Sequence, residues 1–195
     1  MEKQRNIFSD NTAKLIAEKN RIRRVIREFI TVITENQKLK DADLVFLKIE
    51  SLSEFQNAKT IMMYWSDINE LPTHTIIQKW SAEKQILLPS VCGDDIKIKR
   101  FEINRKMKRG IFGILEPDIT ANYSGKIDLV IVPAVAFDVK KNRMGRGKGY
   151  YDRFLKDSKA LRWGVGFDCQ LLLSIPTYKN DLKMDKIITP THIID

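Results

Sequence analysis

The stretch that decides the fold is Asn142-Arg143-Met144-Gly145-Arg146-Gly147-Lys148-Gly149-Tyr150-Tyr151-Asp152. Three glycines alternate with two cations, an arginine precedes them, and two tyrosines and an aspartate follow. Upstream lies an apolar run from Asp128 to Phe137 (DLVIVPAVAF), and downstream Tyr151-Asp152-Arg153-Phe154-Leu155 carries apolar residues at helical spacing. The order reads as strand, glycine-rich loop, helix. Glycine has no Cβ, so a loop of this kind lets backbone N–H groups close on an anion. The start of the following helix adds unpaired N–H groups and a positive dipole end. Arg143, Arg146 and Lys148 supply charge suited to a polyphosphate. Asp152 fits two roles, a carboxylate for Mg²⁺ between protein and phosphate oxygens or an acid in a first helical turn, and spacing leaves both open.

The loop matches neither common phosphate fingerprint. A P-loop needs Ser or Thr directly after its Gly-Lys, and Gly149 follows Lys148. The dinucleotide motif fails because Tyr150 stands where its third glycine belongs. A plain basic surface turn is the bland alternative, and a buried strand on one side with a helix on the other argues against it.

Outward from the loop, the chain has 195 residues, 43% of them hydrophobic, enough for one domain with a real core. The two cysteines, Cys92 and Cys169, match no metal spacing and make no disulfide framework. No apolar run is long enough to span a bilayer, and the first residues, MEKQRNIFSDN, lack a signal core. These features lead us to expect a cytoplasmic protein with no membrane partner. The net charge of +9 suits anionic ligands. Its cations are spread along the chain without interleaved aromatics, which favours small anions over nucleic acid.

Residues 1–11 are polar and expected to form a loose extension. Thr12 to Thr34 has helical periodicity, with Lys19, Arg23 and Arg27 along one face. Asp41 to Phe55 reads as a second helix, and Thr60-Ile61-Met62-Met63-Tyr64-Trp65 as a buried strand. A polar turn through Glu70 follows, then a helix from His74 to Ala82 with Thr73 in position to cap it. Ile86 to Pro89 reads as a strand, Lys97 to Phe101 as an edge ribbon, and Trp163 to Phe167 as another strand. Alternating strands and helices without a long linker imply a single α/β domain over 1–195, a three-layer α/β/α unit with a mainly parallel, Rossmann-like sheet.

Arg143 to Asp152 resembles the signature R-L-G-x-G-x-G-Y-Y-D of the 5-formyltetrahydrofolate cyclo-ligase family, with Met144 for Leu. Further blocks follow in family order. Lys19-Asn20-Arg21-Ile22-Arg23 resembles K-x-x-L-R, Glu70-Leu71-Pro72-Thr73 resembles E-v-d-T, Gly110 to Pro117 resembles G-x-x-G-I-x-E-P, and Asp181 to Thr189 resembles the family's closing element. One departure is Lys141, where the family often has glycine at the turn entering the loop.

The resemblance implies ATP- and Mg²⁺-dependent cyclisation of 5-formyltetrahydrofolate to 5,10-methenyltetrahydrofolate. It implies Arg143, Arg146 and Lys148 as catalytic cations. It assigns ATP to Lys19, Arg23, Arg143, Met144, Gly145, Arg146, Gly147, Lys148, Gly149, Tyr150 and Tyr151. It assigns folate to Trp65, Glu70, Phe112 and the Arg146–Tyr150 segment, and Mg²⁺ to Asp152 and Asp185. The expected partners are ATP and reduced folate, and the expected assembly is a monomer or weak homodimer. Two rival classes remain to weigh. One is a dinucleotide-binding oxidoreductase with Asp168 as ribose acid; the other is a basic RNA-binding protein.

Overall fold

The structure is a computed structural model that describes residues 2–178 and 181–195, with side chains from residue 12 onward. The expected loose stretch at 1–11 lies outside the residues whose side chains are described. In chain order the elements are α1 (Glu2–Thr31), α2 (Glu35–Ser51), α3 (Ser53–Asn57), β1 (Thr60–Met62), α4 (His74–Trp80), β2 (Gln85–Cys92), β3 (Asp95–Arg100), β4 (Met107–Arg109), β5 (Leu115–Pro117), β6 (Leu129–Pro133), β7 (Ala136–Asp138), β8 (Arg143–Met144), α5 (Tyr150–Lys156), β9 (Leu161–Val165), β10 (Leu171–Leu172), β11 (Lys186–Ile188) and β12 (Ile193–Ile194).

The main sheet has the order β12-β11-β9-β6-β1-β2-β3. Its five central strands run parallel, and the edge strands β3 and β12 are antiparallel to their neighbours. Side chains alternate between the two faces of a strand, and the core divides accordingly. Ile61, Ile86, Leu88, Leu129 and Ile131 pack on one face under α1, α2 and α4. Met62, Leu87, Val130, Val132 and Ile187 pack on the other with Leu155 of α5 and Phe137. Every residue of β6 is buried, as befits a strand covered on both faces. The expected α/β class with a mainly parallel sheet is therefore the architecture found. Among the described residues no helix is long and apolar enough to cross a membrane.

The strand order places the ligand region. From β1 the chain moves outward to β2 on one side, then returns to β6 on the other and continues to β9 and β11. The sheet changes direction between β1 and β6, and open α/β sheets bind ligands at the carboxyl ends of such strands.

Several local expectations need correction. The run from Asp128 to Phe137 is two strands, because β6 ends at Pro133 and β7 leaves the main sheet to pair with β8. The glycine loop therefore follows a hairpin rather than a core strand. The second helix divides at Leu52 into α2 and α3. Thr73 does not cap α4; its hydroxyl donates to Tyr64 O at 2.7 Å and accepts from Ser66 N at 3.1 Å. A buried hydroxyl facing two backbone groups bonds to those first.

Lys141, at the position where the resembled family often has glycine, takes a left-handed backbone with φ at 65°. Asp138 makes this turn tolerable. Its carboxylate accepts from Lys140 N at 2.9 Å, Asn142 N at 3.0 Å and Asn142 Nδ2 at 2.9 Å, and from Ile175 N at 3.1 Å. A fully buried acid with four donors holds the hairpin without glycine.

Candidate active site

The carboxyl end of β6 fixes the first cation. Arg143, on β8, is 8% exposed, donates from Nε to Pro133 O at 3.0 Å and from Nη1 to Asp152 Oδ1 at 3.2 Å. Its guanidinium lies 5.1 Å from the Tyr151 ring centroid. Burial lowers its pKa and Asp152 opposes the shift, yet an arginine stays charged at working pH. Gly145 is required here, since a Cβ on it would come within 2.8 Å of Arg143 Nη2. Gly147 is required for a different reason: its φ of 97° suits only glycine. The helix after the loop, α5, is a short one of seven residues.

The second cation crosses the cleft. Arg146 donates from Nη2 to Asp67 Oδ2 at 2.5 Å and pairs with Glu70 Oε1 at 2.8 Å. Asp67 and Glu70 belong to the turn after β1, and Glu70 also accepts from Asp67 N at 3.0 Å. Burial raises the Glu70 carboxyl above its ordinary range, and the Arg146 charge pulls it back. The loop is also tied to α1, where Arg23 donates from Nε to Gly145 O at 3.0 Å.

Two clefts flank this bridge. The larger, about 360 Å³, is lined mainly by apolar and aromatic groups, Trp65, Pro89, Val91, Ile96, Phe112 and Tyr150 among them, and by Glu70, Glu116, Arg143, Arg146, Lys148 and Asp152. The smaller, about 270 Å³, lies under α1 and carries Arg23, Arg27, Asn69 and Gln170 with Ile26 and Ile30. Both include Glu70, Ala134 and Arg146, so the Arg146–Glu70 pair is a shared wall.

The structure brings most of the expected residues together. Trp65, Glu70, Phe112, Arg143, Gly145, Arg146, Lys148, Gly149, Tyr150, Tyr151 and Asp152 line one cleft, and Arg23 lines the other. Phe112 meets the Tyr150 ring edge-on at 5.9 Å. Met144 is a core residue, 2% exposed, and lines neither cleft. Lys19 is buried and lines neither cleft, donating to Asp181 Oδ2 at 3.0 Å over the Tyr178 ring. The charge of Asp181 in turn acts on Arg143.

Asp185 is not brought to the cleft. It precedes β11 beside Arg162, near the amino end of β9, and accepts from Arg162 N at 2.7 Å and from Arg162 Nε and Nη2 at 3.2 Å. The cleft lies at the opposite, carboxyl ends of the strands, so Asp152 and Asp185 do not share an ion in this arrangement. Among the described residues no cluster of three or more acids, histidines or cysteines could hold a metal by protein ligands alone. Mg²⁺ takes one or two carboxylates and keeps several waters. Asp152, half-exposed and lining the cleft, is the carboxylate that fits.

Sequence reasoning missed three supporting residues. His74 stacks on Trp65 at 4.3 Å and its Nε2 meets Ser66 O at 3.0 Å; burial lowers its pKa. Asp67 shares Arg146 with Glu70, and its position three residues before Glu70 in a polar turn was the available signal. Asp181 partners Lys19 across 162 residues, which no local pattern reveals. Asp168, the ribose acid of the oxidoreductase reading, accepts from the Thr189 hydroxyl at 2.5 Å and the Thr191 hydroxyl at 2.8 Å, and lines neither cleft.

Known proteins match over nearly the whole chain. Among curated sequences, the 5-formyltetrahydrofolate cyclo-ligase of Haemophilus influenzae is 29% identical, covering 88% of this chain and 97% of that protein. The enzyme of that name from Saccharomyces cerevisiae is 29% identical over 89% and 95%. The solved 5,10-methenyltetrahydrofolate synthetase of Aquifex aeolicus superposes with a TM-score of 0.82 at 30% identity, covering 90% and 91%. That of Mycoplasma pneumoniae, at 22% identity, shares the fold with a TM-score of 0.71. The profile of the 5-formyltetrahydrofolate cyclo-ligase family matches residues 15–190, and the chain belongs to that family.

Proposed function

We propose that this ligase closes 5-formyltetrahydrofolate to 5,10-methenyltetrahydrofolate at the Arg143–Asp152 loop, using ATP and Mg²⁺ and releasing ADP and phosphate. The observation that carries the reading is the pair of clefts meeting at Arg146 and Glu70. A reaction that joins a phosphate donor to a flat, largely apolar acceptor needs two adjoining compartments with cations between them.

The chemical difficulty is a formamide oxygen, a poor leaving group. In the proposed sequence that oxygen attacks the γ-phosphorus and ADP departs. The folate N10 then attacks the formyl carbon and gives up its proton to solvent, the C–O bond breaks, and phosphate carries the oxygen away. Arg143, Arg146 and Lys148, with the backbone of the glycine loop, hold the transferring phosphoryl group and stabilise its charge. Arg23, with Lys19 behind it, closes the nucleotide side. Trp65, Phe112 and Tyr150 flank the pterin in the apolar cleft and keep water from the activated intermediate. Glu70 orients both Arg146 and the folate. Asp152 would hold Mg²⁺, whose contribution when bound is to neutralise triphosphate charge.

We assign the work to a single domain, acting as a monomer or weak homodimer in the cytoplasm, without nucleic-acid or membrane partners. The test is spectrophotometric: purified protein, 5-formyltetrahydrofolate, Mg²⁺ and ATP should yield the methenyl product, and the ATP-free control should not. No product under those conditions rejects the reading.

A further inference from the structure

Among the described residues one buried side-chain polar atom has no hydrogen-bond partner, the hydroxyl of Tyr151. Three other tyrosines behave differently. Tyr64 donates to Leu71 O at 3.0 Å, Tyr123 to Lys126 O at 3.0 Å and Tyr150 to Gly93 O at 3.2 Å. Proteins pair nearly all buried polar atoms, and an unpaired one costs stability, so its retention calls for a use. Its place suggests the use. Tyr151 lines the apolar cleft and is absent from the walls of the basic one. The charges acting on its hydroxyl are those of Glu70, Arg143 and Arg146, all three of which line the same cleft.

We propose that the Tyr151 hydroxyl donates a hydrogen bond to the formyl oxygen of the bound folate, the atom that must reach the γ-phosphorus. This rests on the function proposed above. A carbonyl oxygen accepts and cannot donate, which matches a neutral phenol. Burial raises the phenol's pKa, with Glu70 adding to the rise, so it remains a donor throughout the working range. The bond engages one lone pair and leaves the other to attack phosphorus. When the C–O bond breaks and the N10–C bond forms, the oxygen departs on phosphate and the same donor stabilises its growing charge. Tyr151 keeps its proton from start to finish.

The test is Tyr151→Phe, which removes only the unpaired hydroxyl. The expected thermal midpoint equals or exceeds that of the wild type, because no protein hydrogen bond is lost. The expected kcat falls by roughly 10- to 100-fold, the scale of one transition-state donor. Calorimetry should show weaker binding of 5-formyltetrahydrofolate and unchanged binding of ATP. 5-Methyltetrahydrofolate, which lacks the formyl oxygen, should bind wild type and variant equally. A lower midpoint with unchanged kcat/KM would make the hydroxyl structural and overturn the proposal. Weakened ATP binding with folate binding intact would also overturn it. A wild type that binds 5-formyltetrahydrofolate yet makes no methenyl product rejects the proposed function, and the binding ratio between the two proteins still decides the contact.

Discussion

Arg143 and Asp152 are joined at 3.2 Å across the glycine loop, and the arginine is the buried partner while the acid faces the cleft. The side chain of Arg143 is 6% exposed and that of Asp152 41%. The acid fixes one end of the guanidinium and the carbonyl of Pro133 another, leaving its direction little freedom. Arg143→Ala should lower kcat/KM by about 10²- to 10³-fold, as loss of a preorganised donor does. Arg143→Lys keeps the charge but loses the fork, and should recover only part of that. Steady-state assays of methenyl formation check both.

Arg146 is the bridge between the clefts, and its loss should carry a pH signature. Burial raises the Glu70 carboxyl and Arg146 is the largest influence lowering it. In Arg146→Ala the Glu70 pKa should rise further. A carboxyl raised above its unfolded value contributes stability below the ordinary glutamate range and loses it as pH rises through the folded pKa. The variant's deficit relative to wild type should therefore be smallest in acid and grow towards neutrality. Thermal melts at a series of pH values measure this; a deficit independent of pH would contradict it.

Asp185→Asn should leave the magnesium dependence of turnover unchanged. Its carboxylate is committed to Arg162 at the amino ends of the strands, so the substitution should cost about 1 kcal/mol of stability for a partly exposed pair. Asp152→Asn should instead raise the magnesium concentration needed for half-maximal rate. Titrating the metal in both variants separates the two acids.

Lys141 offers a gain. A non-glycine residue in the left-handed region costs about 1–2 kcal/mol, and glycine returns part of that through greater unfolded-state freedom. Lys141→Gly should stabilise the protein by about 0.5–1 kcal/mol in urea denaturation and leave turnover unaltered.

Thr73→Val should cost about 1–3 kcal/mol in the same measurement. The hydroxyl is fully buried and joins Tyr64 O to Ser66 N beneath the Trp65–Glu70 turn. Some loss of folate affinity should accompany it, because that turn carries two walls of the larger cleft.

Local chemistry was legible in the residues alone. The glycine–cation alternation from Arg143 to Asp152, the strands at Thr60 and Trp163 and the edge ribbon at Lys97 follow from periodicity and composition, which act over a few residues. The mainly parallel α/β class followed from their alternation. What tertiary structure decided is which charges meet. Arg146 with Asp67 and Glu70, Arg23 with Gly145 O and Lys19 with Asp181 are separated by 79, 122 and 162 residues where a hydrogen bond joins them. The fate of Asp185 was decided the same way, since strand register sets which end of the sheet a residue occupies and a short motif carries no information about register. The unpaired Tyr151 hydroxyl belongs to this second class: a polar atom becomes costly only when packing removes it from water, and packing is a property of the whole chain.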